Sequence, residues 1–195
     1  MVELESTDVL TAGDEAPDFE LQGTDGDSYS LADFEEYEAL LVVFTCNHCP
    51  YAKATFEEMN RLAEEFDEAA VVGINPNDAT EYPEDDFETM GERVEEGTIR
   101  WDAYLHDETQ SVAAAYGAMC TPDPFLFENT GTTFRLAYHG RLDDAPNPDD
   151  EASEREMAGH IKTVLAGDEI AEEPKPSRGC SIKWKTGNEP DYWDQ

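Results

Sequence analysis

Leu40 to Phe44 is an unbroken apolar run, the pattern of a strand covered on both faces, and it is expected to lie in the centre of a sheet. The period changes after Pro50. Phe56, Met59, Leu62, Ala63 and Phe66 recur at spacings of three and four, with Lys53, Glu57, Glu58, Arg61, Glu64 and Glu65 between them. That spacing predicts an amphipathic helix with Pro50 in its first turn. A second apolar run, Ala69 to Ile74, ends in the turn residues Asn75-Pro76-Asn77-Asp78 and completes a strand, helix, strand unit.

On the N-terminal side, Phe19-Glu20-Leu21 and Ser28-Tyr29-Ser30-Leu31 flank Thr24-Asp25-Gly26-Asp27, whose Asp-Gly signals a hairpin. On the C-terminal side the pattern predicts a surface helix over 85–97, a strand over 101–105 and an Ala-rich helix over 109–116 stopped by Gly117. Phe125-Leu126-Phe127 and Thr132 to Tyr138 flank Glu128-Asn129-Thr130-Gly131 as a second hairpin. A loop over 140–150 leads to a last helix from about Glu151 to Leu165, closed by Gly167. Parallel units therefore give way to an antiparallel edge, and the expected architecture is α/β: a central mixed sheet flanked by helices, with an N-terminal β-hairpin. The length of 195 residues suits one domain with decorations. The expected organisation is a lead over 1–12, one domain over 13–167 and an irregular tail over 168–195. The tail contains Pro174, Pro176 and Pro190, yet Ile182, Trp184, Tyr192 and Trp193 are costly to leave in water, so part of it should pack on the domain.

Charge narrows the function. Asp plus Glu number 47 against 12 Lys plus Arg, a formal net charge of −35. Such a surface repels nucleic acid and anionic membranes, and no basic cluster makes a local exception. Disorder is excluded by 39% hydrophobic and 10% aromatic residues in compact runs. The acidic residues are spread from Glu3 to Asp194, which points to a whole-surface adaptation resembling that of proteins from salt-loving cytoplasms, where a Debye length of roughly 3 Å near 1 M salt relieves self-repulsion. An acidic partner-binding surface is the rival reading. No run approaches the roughly 20 apolar residues of a spanning helix, and Met1 to Asp8 carries no basic side chain, so neither a signal peptide nor an anchor is expected and the expected location is cytoplasmic. Four cysteines, Cys46, Cys49, Cys120 and Cys180, are too few and too dispersed for a stapled secreted scaffold, and the close pair suggests redox or metal chemistry.

The segment Phe44-Thr45-Cys46-Asn47-His48-Cys49-Pro50 joins the central strand to the amphipathic helix. Proline favours the first helical position, which makes Cys49 the expected N-cap, where orphan amides stabilise a thiolate. Cys49 is therefore the expected nucleophile. Cys46 reaches its sulfur if the Asn47-His48 turn is tight, as in a C-x-x-C redox pair. His48 either supports the thiolate by charge or is a solvent-facing turn residue. The alternative for the pair is zinc, with Cys120 and Cys180 completing a tetrahedron. Thr121-Pro122 stands at a strand start, where proline loses no ladder donor. Cys120 beside it is either a buried small hydrophobe or a third redox thiol.

Together these residues resemble the thioredoxin-like superfamily, close to its peroxiredoxin or alkyl hydroperoxide reductase branch. The resemblance runs from about Gly13 to Leu165. It is carried by Gly13-Asp14-Glu15-Ala16-Pro17-Asp18-Phe19-Glu20-Leu21, by Gly26 and by Ser30-Leu31-Ala32-Asp33-Phe34; within the superfamily, Thr45-Cys46-Asn47-His48-Cys49-Pro50 and the tail segment Gly179-Cys180-Ser181-Ile182-Lys183-Trp184-Lys185 resemble a peroxiredoxin-like group of bacterial and archaeal proteins. It implies an attacking cysteine at Cys49 with Lys53 four residues on, and a cis Thr121-Pro122 platform that presents backbone groups to an extended substrate. The second thioredoxin cysteine falls at Ala52, the peroxiredoxin threonine at Cys46 and the buried thioredoxin acid at Val43, so proton transfer is expected to use another group or water. No organic cofactor and no metal are implied.

The resulting expectation is a cytosolic thiol-dependent oxidoreductase. Cys49 attacks a peroxide or a disulfide, Cys46 closes an intramolecular disulfide, and a thioredoxin-type or low-molecular-weight thiol resets the pair. Cys180 is a second candidate resolver, or else an inert packed cysteine. The alternative is a non-catalytic redox sensor or a metal- or partner-binding module. The oligomeric state is left open by the sequence.

Overall fold

The computed structural model describes residues 3–7, 9–145 and 147–193. Its scaffold is a seven-stranded mixed sheet built around β4 (Ala39–Phe44), all six residues of which are buried. Strands β1 (Glu3–Glu5), β2 (Glu20–Gly23) and β3 (Ser28–Ser30) precede it. After it come β5 (Ala69–Asn75), β6 (Ala103–His106), β7 (Cys120–Thr121), β8 (Asp123–Asn129), β9 (Phe134–His139) and β10 (Arg178–Ser181). The large sheet runs in the order β3-β2-β6-β5-β4-β8-β9. Strands β4, β5 and β6 are parallel, β8 and β9 add antiparallel strands on one side, and the β2–β3 hairpin does so on the other. This is a thioredoxin-like fold.

The unbroken apolar run of β4 follows from having both faces covered. Leu41 and Val43 face Phe56, Met59 and Leu62 of α1 (Pro50–Glu65) and Met157 and Ile161 of α4 (Glu156–Leu165). Leu40, Val42 and Phe44 face the opposite way, onto Val112, Ala113 and Tyr116 of α3 (Ser111–Tyr116). Each fully buried side chain of this size contributes roughly 1.5–3 kcal/mol relative to exposure.

Three helices begin later than the sequence pattern predicts, α3 at Ser111 rather than at 109. The helix expected over 85–97 is α2 (Phe87–Glu95), because Asp86 caps it by accepting the Thr89 N–H at 2.7 Å and residues 83–85 form a separate 3-10 turn. Asp85 is thereby aimed into the protein. The last helix begins at Glu156 rather than about Glu151, because the Asp144 carboxylate takes the N–H groups of Ser153 and Glu154 at 2.7 and 2.8 Å and holds that stretch as a loop.

The pattern also gives no sign of a second sheet, in which β10 from the tail lies between β1 and β7. Cys180 opposes Thr121 and Ser181 opposes Cys120 in its antiparallel ladder. Glycine is required within this strand: a Cβ on Gly179 would stand 2.2 Å from the Thr121 carbonyl oxygen.

Candidate active site

The C-terminal end of β4 lies between Ile74 of β5 and Asp123 of β8, and the chain turns there through residues 45–49 into α1. Cys49 is the N-cap, with extended backbone (φ −71°, ψ 129°) and Pro50 in the first turn. Its side chain caps no amide; its sulfur is bonded to Cys180, 131 residues away, across a Cα–Cα distance of 6.2 Å. The expected Cys46–Cys49 disulfide is therefore not the pair that this structure holds. The tail strand brings Cys180 to the mouth of the turn, and Cys46 remains a free, fully buried thiol.

Thr121 joins the three cysteines. Its peptide bond to Pro122 is cis. Its hydroxyl lies 3.1 Å from the Cys46 sulfur, its carbonyl oxygen 3.4 Å from the Cys49 sulfur, and its backbone pairs with Cys180. Burial, reinforced by the negative charge of Asp85, pushes the Cys46 thiol up to about 12, against the opposing pull of the Thr121 hydroxyl and the Cys49 and His48 amides. Cys120 is fully buried as well; its thiol donates to the Pro122 carbonyl at 3.5 Å, and burial raises it far above the usual thiol range.

The turn is held from outside by Asp85. One carboxylate oxygen accepts the N–H groups of Asn47 and His48 at 2.6 and 3.2 Å; the other accepts His48 Nδ1–H at 2.5 Å and an Asn77 amide N–H at 2.8 Å. Burial works to raise Asp85, but these donors outweigh it and leave the carboxyl below its usual range, hence ionised. An ionised partner accepts from Nδ1, which therefore carries a proton. His48 is thus no solvent-facing turn residue. It is buried, stacked on Tyr82 with ring centroids 4.5 Å apart, and its Nε2 has no hydrogen-bond partner. Asn47 is fixed in turn by the Tyr104 hydroxyl at 3.0 Å and by the Glu84 carbonyl at 3.0 Å. Asp85, Asn77 and Tyr104 escape a reading of local pattern because they come from other segments and meet the turn only through tertiary folding.

The structure thus gathers Cys46, Cys49, Cys180, His48, Thr121 and Pro122. Lys53 is exposed on α1, outside this buried cluster. The zinc arrangement does not fit, since Cys49 and Cys180 spend their sulfurs on each other. Among the described residues, Cys46, His48 and Asp85 form a three-donor group whose ligand atoms lie within 4.8 Å of one another. A cation there would have to displace the donors already on both Asp85 oxygens. A groove of about 760 Å³ passes the outer side of Pro122, lined by Tyr51, Ser177 and Arg178 among others.

The helix-capping cysteine, the cis Thr-Pro opposite it and the sheet order define the site, and the AhpC/TSA family profile matches residues 12–136. The chain belongs to the AhpC/TSA family. Two solved structures similar along nearly their whole length are an uncharacterized conserved protein of Geobacillus kaustophilus and a hypothetical protein of Sinorhizobium meliloti. The first is 39% identical, covers 95% of this chain and 97% of its own, and has a TM-score of 0.87. The second is 38% identical, covers 94% and 99%, and has a TM-score of 0.86. A secreted disulfide oxidoreductase of Mycobacterium tuberculosis shares the fold at 19% identity and TM-score 0.54, covering 76% of this chain and 95% of its own. No curated protein matches the chain. AhpC/TSA membership supports a redox function, and the structural neighbours show the thioredoxin-like fold on which it would run.

Proposed function

We propose that this AhpC/TSA protein is a thiol-disulfide oxidoreductase whose working pair is Cys49 and Cys180. The observation that carries the reading is the bond between the helix-capping cysteine and a tail cysteine laid on the cis-proline platform. In the reduced chain the first-turn amides of α1 favour the Cys49 thiolate. That thiolate attacks a substrate disulfide, forms a mixed disulfide and expels one substrate thiolate. Cys180 then attacks the Cys49 sulfur, expels the second thiolate and closes Cys49–Cys180. Two equivalents of a thiol, supplied by a thioredoxin-type protein or a low-molecular-weight thiol of the cytoplasm, return both cysteines to the reduced state. A hydroperoxide enters the same cycle by oxidising Cys49 to the sulfenic acid with release of an alcohol, and Cys180 condenses with it as water leaves.

A disulfide substrate is favoured over a peroxide. The residue three before Cys49 is the thiol Cys46, and the platform already carries an extended polypeptide strand. The test compares reduction of a protein disulfide with consumption of hydrogen peroxide by the pre-reduced chain, in high salt. The expected result is faster disulfide reduction, closure of Cys49–Cys180 on peptide mapping, and loss of both activities in Cys49→Ser. Four persistent thiols after exposure to either oxidant would sink the proposal.

A further inference from the structure

Cys46 is the buried nucleophile that this cycle does not use. Its sulfur shares Thr121 with the disulfide, 3.1 Å from the hydroxyl while the Cys49 sulfur lies 3.4 Å from the carbonyl of the same residue. Within 4.8 Å of it are a His48 ring nitrogen and an Asp85 carboxylate oxygen. Asp85 holds the Nδ1 side of that ring, and Nε2 is buried without a hydrogen-bond partner among the described residues. A buried ring nitrogen without a partner, in the same cluster as a buried thiol, calls for a reason, and taking up a proton from that thiol supplies one. Lys183, half-buried and placed over the Tyr82 ring at 5.6 Å, adds a positive charge that favours the Cys46 thiolate, while Asp85 opposes it; Tyr104 also faces this group.

We propose that Cys46 is a third redox thiol that displaces Cys180 from Cys49, with His48 as the proton acceptor and Asp85 as the residue that positions its ring. The proposal rests on the Cys49–Cys180 cycle and deepens it. The Cys46 thiol gives its proton to the imidazole, which becomes an imidazolium paired with the Asp85 carboxylate. The thiolate attacks the Cys49 sulfur, the Cys46–Cys49 bond forms as Cys49–Cys180 breaks, and Cys180 leaves as a thiolate that takes up the proton. One disulfide is exchanged for another, with no external oxidant or reductant. The exchange uncouples β10 from the helix N-terminus, so the strand covering the cis-proline platform is then held only by its ladder and side-chain contacts. The C-x-x-C pair and the tail pair are thereby two states of one site.

The experiment uses the full oxidised chain, incubated in high salt with N-ethylmaleimide and mapped by mass spectrometry over time. The expected result is growing alkylation of Cys180 together with a Cys46–Cys49 disulfide. Cys46→Ser should abolish Cys180 alkylation while retaining Cys49–Cys180. His48→Asn should slow the exchange at least tenfold at pH 7 and much less at pH 9.5, where hydroxide replaces the base, a pH profile that a merely structural role would not produce. Should His48→Asn fail to fold, oxidised Cys180→Ser provides the second readout, since it must form Cys46–Cys49. Alkylation of Cys180 at the same rate in Cys46→Ser overturns the exchange, as does a Cys180→Ser chain that keeps both remaining thiols of the turn free. An unchanged pH profile in His48→Asn overturns the base. If the oxidised chain lacks Cys49–Cys180 from the outset, the proposed cycle itself fails, which the same map reports separately.

Discussion

Cys46 and Cys120 are both free, both fully buried, and both have ionisation pushed up by burial. Their surroundings differ. Cys46 lies in a turn between strand and helix, beside the Thr121 hydroxyl and a histidine–aspartate pair, with amides of His48 and Cys49 pulling its ionisation back down. Cys120 lies in β7, donates to the Pro122 carbonyl, and feels negative charge from Asp123 and Glu5, which pushes its ionisation further up. Burial alone therefore does not separate a thiol for chemistry from one for packing. What separates them is whether the polar groups around the sulfur can stabilise a thiolate and accept its proton.

The largest effect should come from the cysteines that set the scale for this comparison. Cys49 and Cys180 close a loop of 131 residues, for which the chain-entropy model gives about 4–5 kcal/mol of stabilisation. Reduction, or Cys180→Ser, is expected to lower the melting temperature by about 8–20 °C in high salt, a domain of this size losing about 2–4 °C per kcal/mol. Differential scanning calorimetry with and without reductant measures it, and a shift below about 2 °C would show that the bond constrains little.

Next in size is the pair that carries the comparison. Cys120→Ser places a hydroxyl in an interior that offers one carbonyl at 3.5 Å, and the expected cost is about 1–2 kcal/mol with disulfide exchange unchanged. In Cys46→Ser the hydroxyl keeps Thr121 as a partner. Its stability should fall by less than about 1 kcal/mol while the exchange with Cys180 is lost. Urea titration and disulfide mapping of the two variants side by side decide the matter; the reverse pattern, an inactive Cys120→Ser beside an active Cys46→Ser, would exchange the two roles.

The same contrast explains what was legible in the sequence. The buried strand at Leu40–Phe44, the helix from Pro50 and the capping position of Cys49 are local: each follows from period or from one proline, and the structure has all three. Asp85 is read locally as part of a surface helix, because its neighbours Glu84 and Asp86 are equally acidic. Only the N-cap at Asp86 leaves it outside that helix and free to turn inward. The partner of Cys49 was harder to see for a different reason. Cys46 is three residues away and Cys180 is 131, yet β10 removes that distance by pairing with Thr121, and Arg178-Gly179-Cys180-Ser181 has no alternation to announce a strand. Its glycine, needed where the Thr121 carbonyl approaches, is the one local sign of close packing.

The smallest expected signal tests the charge that distinguishes the Cys46 environment. Asp85 has its folded-state pKa depressed, because the His48, Asn77 and Asn47 donors outweigh burial. A depressed carboxylate contributes stability that is fully present above its unfolded pKa, near 3.9, and is lost as pH falls through its folded value. Glu58, Asp102, Asp107 and Asp143 are raised mainly by burial and act in the opposite direction, so the acid limb of the whole protein does not isolate Asp85. The difference between wild type and Asp85→Asn does. Measured by denaturant titration at constant high salt, that difference should shrink steadily as pH falls below about 4, as protonation makes the wild-type carboxyl resemble the amide. A difference that grows as pH falls below about 4 would mean that Asp85 is protonated in the folded chain, in which case it could not hold the His48 ring as a carboxylate and the contrast between the two buried thiols would lose its electrostatic basis.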